Sequence, residues 1–372
     1  MEWLALVILL GLLGPLLALP KRFGIPVALG EILIGAVVGK SGFDLLPHEQ
    51  PVLQVFSSIG FALVMMLVAS HIDLRAVFNS KVVVPALGNI AGSAIVALGL
   101  AVFVAGQTGL RQPALLAVLF VSSSAAVILP AVSSTKPLKQ YAVFVAQVAF
   151  ADLIAIVALP IVASGTDGLK TALGAIALAI LALVAYLLLR KADSSGLWNR
   201  MRAVSRERRF GLELRISLLL LLAAATLAQQ LAVSIMLAGV AVGLAIGVNG
   251  FPKRLSKQLF AVSEGLFAPV FFVLLGAGID FRAVFGNVEL LTFALCLAVA
   301  AIVAHLFPTL LGLPARYALI SSAQLGVPAA AVQLGQSAGF LTPGQGAAIM
   351  LAAMLTLAVT TFSVAGLKRR IA

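Results

Sequence analysis

Along this chain apolar residues come in long unbroken runs, not in the alternation of a half-buried strand or the stripe of an amphipathic surface helix. Runs near the ~20 residues that a helix needs to cross a bilayer recur from end to end, separated by short polar breaks. They predict about thirteen membrane-spanning helices. The first seven have cores near residues 3–19, 25–41, 52–71, 82–105, 113–133, 139–163 and 168–189. The other six lie near 212–230, 233–248, 259–278, 287–310, 315–338 and 345–367. The expected fold class is an all-α polytopic membrane protein.

Composition agrees: 62% of the 372 residues are hydrophobic and 10% charged, with a mean hydropathy of +1.15, which excludes an ordinary soluble domain. Lys21 and Arg22 follow the first apolar run instead of preceding it, so that run reads as a retained helix and not as a cleaved signal. The one cysteine, Cys296, lies inside an apolar run, which leaves no disulfide framework and points to a packing role.

The formal charge of +12 raises the question of a nucleic-acid partner, and the placement of the charges answers it. With the N-terminus outside, one set of loops carries Lys21, Arg22, Arg75, Lys81, Lys136, Lys139, the run Arg190 to Arg209, Lys253, Arg254, Lys257, Arg316 and Lys368 to Arg370. The opposite loops keep only Lys40, Arg111, Lys170 and Arg282. That is the positive-inside rule, and it predicts an odd number of spans with the C-terminus in the cytoplasm, as in a bacterial inner membrane protein. The basic loop around Trp198 is expected to lie on anionic lipid. No nucleic-acid partner is implied.

Residues 72–78 read IDLRAVF and residues 279–285 read IDFRAVF, each following an apolar span. One span earlier, Gly35 and Gly39 match Gly243 and Gly247. Spans two to six thus map onto nine to thirteen, and an offset of seven spans turns the second copy upside down. Two inverted five-helix repeats suit alternating access around a midplane site. Spans five and twelve carry small polar residues and proline in mid-membrane: Ser122, Ser123, Ser124 and Pro130 against Ser321, Ser322, Gln324, Gly326 and Pro328. Helices interrupted at that depth expose backbone dipoles and carbonyls suited to ions, whereas the plainer reading is a proline kink.

Within the spans acids are scarce. Asp152, in AFADLIAIVAL, sits near the middle of span six. Burial favours its neutral acid, which can give up its proton when a small cation arrives to neutralise the carboxylate, although a structural hydrogen-bonding role is the alternative. Glu31 and Glu264 lie nearer the cytoplasmic boundary, where packing or pairing competes with lining a pathway. His305 can titrate near neutral pH or offset the charge of Asp152, or it can be a satisfied core histidine. His71 and Asp73 fit a loop role. The sequence contains no glycine-rich phosphate loop after a strand, no zinc-ligand spacing and no serine nucleophile elbow, so no enzyme activity and no cofactor are expected.

The segments PVALGEILIGAVVG, SSSAAVILP, AFADLIAI and LFAPVFFVLLGAGID resemble the monovalent cation:proton antiporter superfamily, over nearly the whole chain. The resemblance implies a scaffold that forms a homodimer, about residues 1–80 and 210–285. It also implies a mobile core of about 82–163 and 287–367, with a linker helix and basic loop at about 168–209. Spans five and twelve would cross at the midplane beside Asp152, where Na+ or K+ and H+ compete, with Ser123, Ser124 and Gln324 nearby, and the core would move like an elevator. Ala151 stands where many relatives have Asp, Asn or Gln, and a lone acid favours electroneutral exchange. His305 aligns with a lysine of many relatives, His71 replaces a glutamate and Lys40 a proline. Relatives of the potassium-efflux type continue into cytoplasmic nucleotide-binding domains, and gating of that kind is not expected within these residues. Two other functions fit the pattern less well: a sodium-coupled carrier for an organic anion, and a channel-like or non-transporting component.

Overall fold

The computed structural model describes residues 2–18, 26–47, 50–70, 80–108, 110–133, 140–163, 168–194, 201, 203–205, 207–208, 211–231, 233–247 and 253–369. His71, Asp73, the heptapeptide at 72–78, Lys21, Arg22, Lys136, Lys139 and Trp198 fall outside them.

Every regular element among the described residues is a helix. The first helices are α1 (Glu2–Gly11), α2 (Leu13–Ala18), α3 (Val27–Val38) and α4 (Pro51–Ser70). They are followed by α5 (Ser80–Gln107), α6 (Pro113–Val121), α7 (Ala125–Ser133), α8 (Tyr141–Ala163) and α9 (Gly168–Ser194). Then come α10 (Leu212–Gln230), α11 (Ile235–Gly247) and α12 (Lys253–Val262), which a wider turn at Ser263–Phe267 joins to α13 (Ala268–Gly278). The last are α14 (Phe281–Phe285), α15 (Val288–Leu306) with a tighter turn at Phe307–Leu311, α16 (Ala315–Ser321), α17 (Gly326–Ser337) and α18 (Pro343–Arg369).

Ten of these helical stretches are long and apolar enough to cross a membrane. The predicted spans one, two and nine coincide with the shorter apolar helices Glu2–Leu16, Val27–Val38 and Ile235–Gly247. Cys296, expected to pack, is exposed on the surface of α15.

The chain divides into two compact units. The first comprises Met1–Gln50, Arg75–Gly165 and Phe272–Ala372. In it α3 packs on α13 with no room for side chains between them: a Cβ on Gly35 would strike Val273, one on Gly39 would strike Ala277, and one on Gly276 would strike Ile32. Glycine is what permits the approach. Ser41 sews the ends of the two helices together, donating to the Ile279 carbonyl at 2.6 Å and accepting from Phe281 N–H at 2.8 Å. Tyr317 of α16 is fully buried and stacks on Phe144 of α8 with ring centroids 4.2 Å apart. Such a pair contributes about 1 kcal/mol beyond its buried area.

The second unit comprises Pro51–Leu74 and Thr166–Phe271. Its closest packing is α4 on α11, where a Cβ on Gly243 would strike Met66 and one on Gly247 would strike Ser70. These contacts correspond position by position to those of the first unit. Gly243 and Gly247 match Gly35 and Gly39, while Met66 and Ser70 precede Ile72 by the same steps as Val273 and Ala277 precede Ile279.

Candidate functional site

Spans five and twelve are interrupted, and within the first unit the interruptions meet. α6 stops at Val121 and α7 starts at Ala125, while α16 stops at Ser321 and α17 starts at Gly326. A break inside a membrane leaves helix-end N–H and C=O groups that water cannot satisfy. Here the two breaks satisfy each other. Ser124 N–H donates to the Ala323 carbonyl at 2.8 Å, Ser123 Oγ donates to the Ser321 carbonyl at 2.7 Å, and Gln324 Nε2 donates to the Leu119 carbonyl at 2.6 Å. Gln324 also lines a small cavity with Leu119, Leu297 and Thr356.

The interruptions fall on the serines and not on the prolines that the sequence pattern groups with them. Pro328 lies in the first turn of α17, where its missing N–H costs nothing. Pro130 lies inside α7, well past the break.

Asp152 comes to this junction from the middle of α8. It is buried at 8% exposure, and its Oδ2 accepts from Ala125 N–H, the first amide of α7, at 2.9 Å. The carboxylate therefore caps a half-helix from a neighbouring element, at the end where the helix dipole is positive and unpaired amides face outward. Ala151 beside it is buried and brings no polar atom.

His305, in the last turn of α15, is buried as well. Its ring reaches the Ala301 carbonyl through Nδ1 at 2.9 Å and Ser123 Oγ through Nε2 at 3.2 Å. The structure thus brings His305, Ser123, Ser124, Gln324 and Asp152 onto the two breaks. Within the same unit it does not bring Glu31 there. Glu31 is buried on α3 against Gly14 of α2, and Glu264 is exposed in the wide turn after α12.

A further buried pair stands behind the acid. Asn89 Nδ2 of α5 donates to Gln147 Oε1 of α8 at 2.9 Å, and both amides are buried. Gln147 lies in the turn before Asp152, so this pair fixes the helix that carries the acid. Its mark in the sequence is two amides inside apolar runs, and nothing in a linear sequence says that they face each other.

Fold and site together define a polytopic helical membrane protein in which a buried carboxylate closes the junction of two interrupted helices. The chain belongs to the family of transmembrane sodium/hydrogen exchangers, whose model matches residues 6–369. It is 25% identical over 300 residues to a protein of Methanocaldococcus jannaschii described as a probable Na+/H+ antiporter 3, covering 75% of this chain and 73% of that one. It is also 25% identical over 328 residues to YjbQ of Bacillus subtilis, provisionally described as an Na+/H+ antiporter, covering 82% of this chain and 52%, about half, of the relative. Among solved structures, the sodium proton antiporter MjNhaP1 of M. jannaschii at pH 8 shares the fold with a TM-score of 0.68 at 20% identity, covering 98% of each chain.

Proposed function

We propose that this protein is a secondary transporter that exchanges Na+ or K+ for H+ one for one, with Asp152 as the site the two ions share. The observation that carries this reading is the Asp152 carboxylate held on the Ala125 amide at the meeting of the two breaks. A carboxylate removed from water needs its charge neutralised, and either a proton or a monovalent cation does so. Both cannot bind the same oxygens at once. Binding one expels the other, and each carries a single charge, so the cycle is electroneutral. Among the described residues no three His, Cys, Asp or Glu side chains gather, which suits a singly charged cargo better than a divalent one.

Ser123, Ser124 and Gln324 supply further oxygens around the breaks in this reading. Alternating access fits an inverted repeat, and the matched glycine contacts of the two units support that repeat. We extend the reading to an elevator movement of a core, about residues 82–163 and 287–367, against a scaffold that forms a homodimer. The N-terminus then lies outside and the C-terminus in the cytoplasm of a bacterial inner membrane.

The test is reconstitution into liposomes with an imposed pH gradient and a lumenal pH dye, with sodium, potassium or lithium added to wild type and to Asp152→Asn. Collapse of the gradient by one cation in wild type, with a silent variant, is the expected result. Coupled exchange retained in Asp152→Asn overturns the role of Asp152. Sodium-driven accumulation of a labelled organic anion without proton movement overturns the antiport reading itself.

A further inference from the structure

A hydroxyl buried in a helix ordinarily donates to a carbonyl one turn back. Ser70, Ser321 and Thr356 do so, at 2.7 Å to Leu67, 2.9 Å to Tyr317 and 2.8 Å to Ala353. Ser93 of α5 does not. It is buried at 2% exposure, and its Oγ has no hydrogen-bond partner among the described residues. The other buried side-chain atom of this kind among them is Ser263 Oγ, in the second unit.

Two registers give the depth of Ser93. Ala86 of α5 packs on Ala146 of α8, and Asn89 bonds to Gln147, so residue numbers rise together and the two helices are parallel. One turn further along both, Ser93 stands level with Ala151, the neighbour of Asp152. α5 and α6 follow each other through a short connection and pack antiparallel. Counted from that connection, Ala125 comes level with about Ile95. Both counts put Ser93 at the depth where Asp152 accepts the Ala125 amide. Around the axis of α5, Ser93 falls between Asn89 and Ala86, the two residues that meet α8, and so on the side of the helix that carries the acid. Ala151 at that level brings no polar atom.

A buried hydroxyl without a partner raises the energy of the state that contains it. A ligand that supplies the partner recovers this cost as affinity, so the arrangement favours the loaded site over the empty one. Monovalent cations are held by neutral oxygens as well as by charge, and the Ser93 oxygen has both lone pairs to give. A proton, by contrast, is held by one oxygen of the acid. We propose that Ser93 is a further binding residue for the transported cation, its oxygen joining the ion's shell as a neutral partner beside the charged Asp152. The inference rests on the antiport reading for the ion and for the place of Asp152, and it adds a residue from a helix outside the two breaks.

The experiment is thermal unfolding of the full-length protein in detergent, titrated with sodium, potassium or lithium chloride against choline chloride at constant ionic strength. It compares wild type, Ser93→Ala, Ser93→Cys and Asp152→Asn at a pH high enough that the wild-type half-point no longer moves with pH. Without added cation, Ser93→Ala is expected to unfold at the wild-type temperature or slightly above it, because it removes a hydroxyl that has no partner. The cation concentration for half the stabilisation is expected to rise about tenfold, the effect of one lost polar contact. Ser93→Cys, close to serine in size but a weak acceptor, should rise with it. An unmoved half-point in both Ser93 variants, with Asp152→Asn unresponsive, overturns the role of Ser93 and leaves the antiport reading standing. A clear fall in the cation-free unfolding temperature of Ser93→Ala also overturns it, because the hydroxyl then has a standing partner. If no cation stabilises wild type, the antiport reading falls, and the binding role of Ser93 falls with it.

Discussion

Asp152 Oδ2 accepts the Ala125 N–H at 2.9 Å, so the acid of one helix terminates the half-helix of another. The bond has a structural and a functional side that substitutions can separate. Asn keeps an oxygen that accepts from Ala125 but carries no charge, whereas Ala leaves that amide unpaired. Asp152→Asn is therefore expected to unfold near the wild-type temperature while losing cation-driven proton movement. Asp152→Ala is expected to lose the same activity and about 1 kcal/mol of stability, the usual worth of an N-cap. Thermal unfolding in detergent, run alongside the flux assay, checks both.

The close packing of α3 on α13 gives a prediction confined to stability. A Cβ on Gly35 would meet the backbone of Val273, which cannot step aside without moving its helix, whereas a Cβ on Gly99 of α5 meets nothing within 4 Å. Gly35→Ala should cost about 1–3 kcal/mol through overpacking. Gly99→Ala should be neutral or gain up to about 1 kcal/mol from helix propensity. Equal unfolding temperatures for the two variants would contradict the helix contact.

Much of this architecture is legible in the sequence because a bilayer imposes a length on every helix. Runs of apolar residues locate the spans. Ser122 to Ser124 and Ser321 to Gln324 mark the interruptions, since clustered hydroxyls and amides at that depth are costly against lipid and suit a break lined by protein. Asp152 stands out on the same ground. Which side chain answers which is not legible. Asn89 and Gln147 lie on separate helices, and their pairing depends on the rotation of each helix about its axis. Pro130 looks like a breaker, yet the chain ends its helix on serines that find carbonyl partners across the break, and the proline falls inside the next helix. Glu31 and Glu264 carry similar weight as sequence and separate by burial in the fold.

The Asn89–Gln147 pair lends itself to a double-mutant cycle. Changing one amide to leucine strands the other inside the protein, which costs about 1–3 kcal/mol. Changing both removes the stranded group. Asn89→Leu with Gln147→Leu should therefore unfold at nearly the same midpoint as either single variant, so that the coupling equals the cost of one of them, about 1–3 kcal/mol. Additive losses would show that each amide has a different principal partner.

Competition at Asp152 also makes a prediction that needs no membrane gradient. A ligand that binds only the folded protein raises its stability, by about 2.7 kcal/mol at a hundredfold excess over Kd. The transported cation should thus raise the unfolding temperature of detergent-solubilised wild type in a saturable way, and should leave Asp152→Asn unmoved because the variant has no charge to neutralise. Protons contend for the same oxygens, so the sign of the pH effect follows directly. Where the carboxyl is mostly protonated, each unit fall in pH multiplies the cation concentration needed for half the stabilisation by about ten, since one proton must leave for one cation to bind. At higher pH, where the carboxylate is already free, the half-point should stop moving. A half-point that ignores pH throughout would place cation and proton on separate groups, and one that shifts a hundredfold per unit would mean that two protons leave for each cation bound.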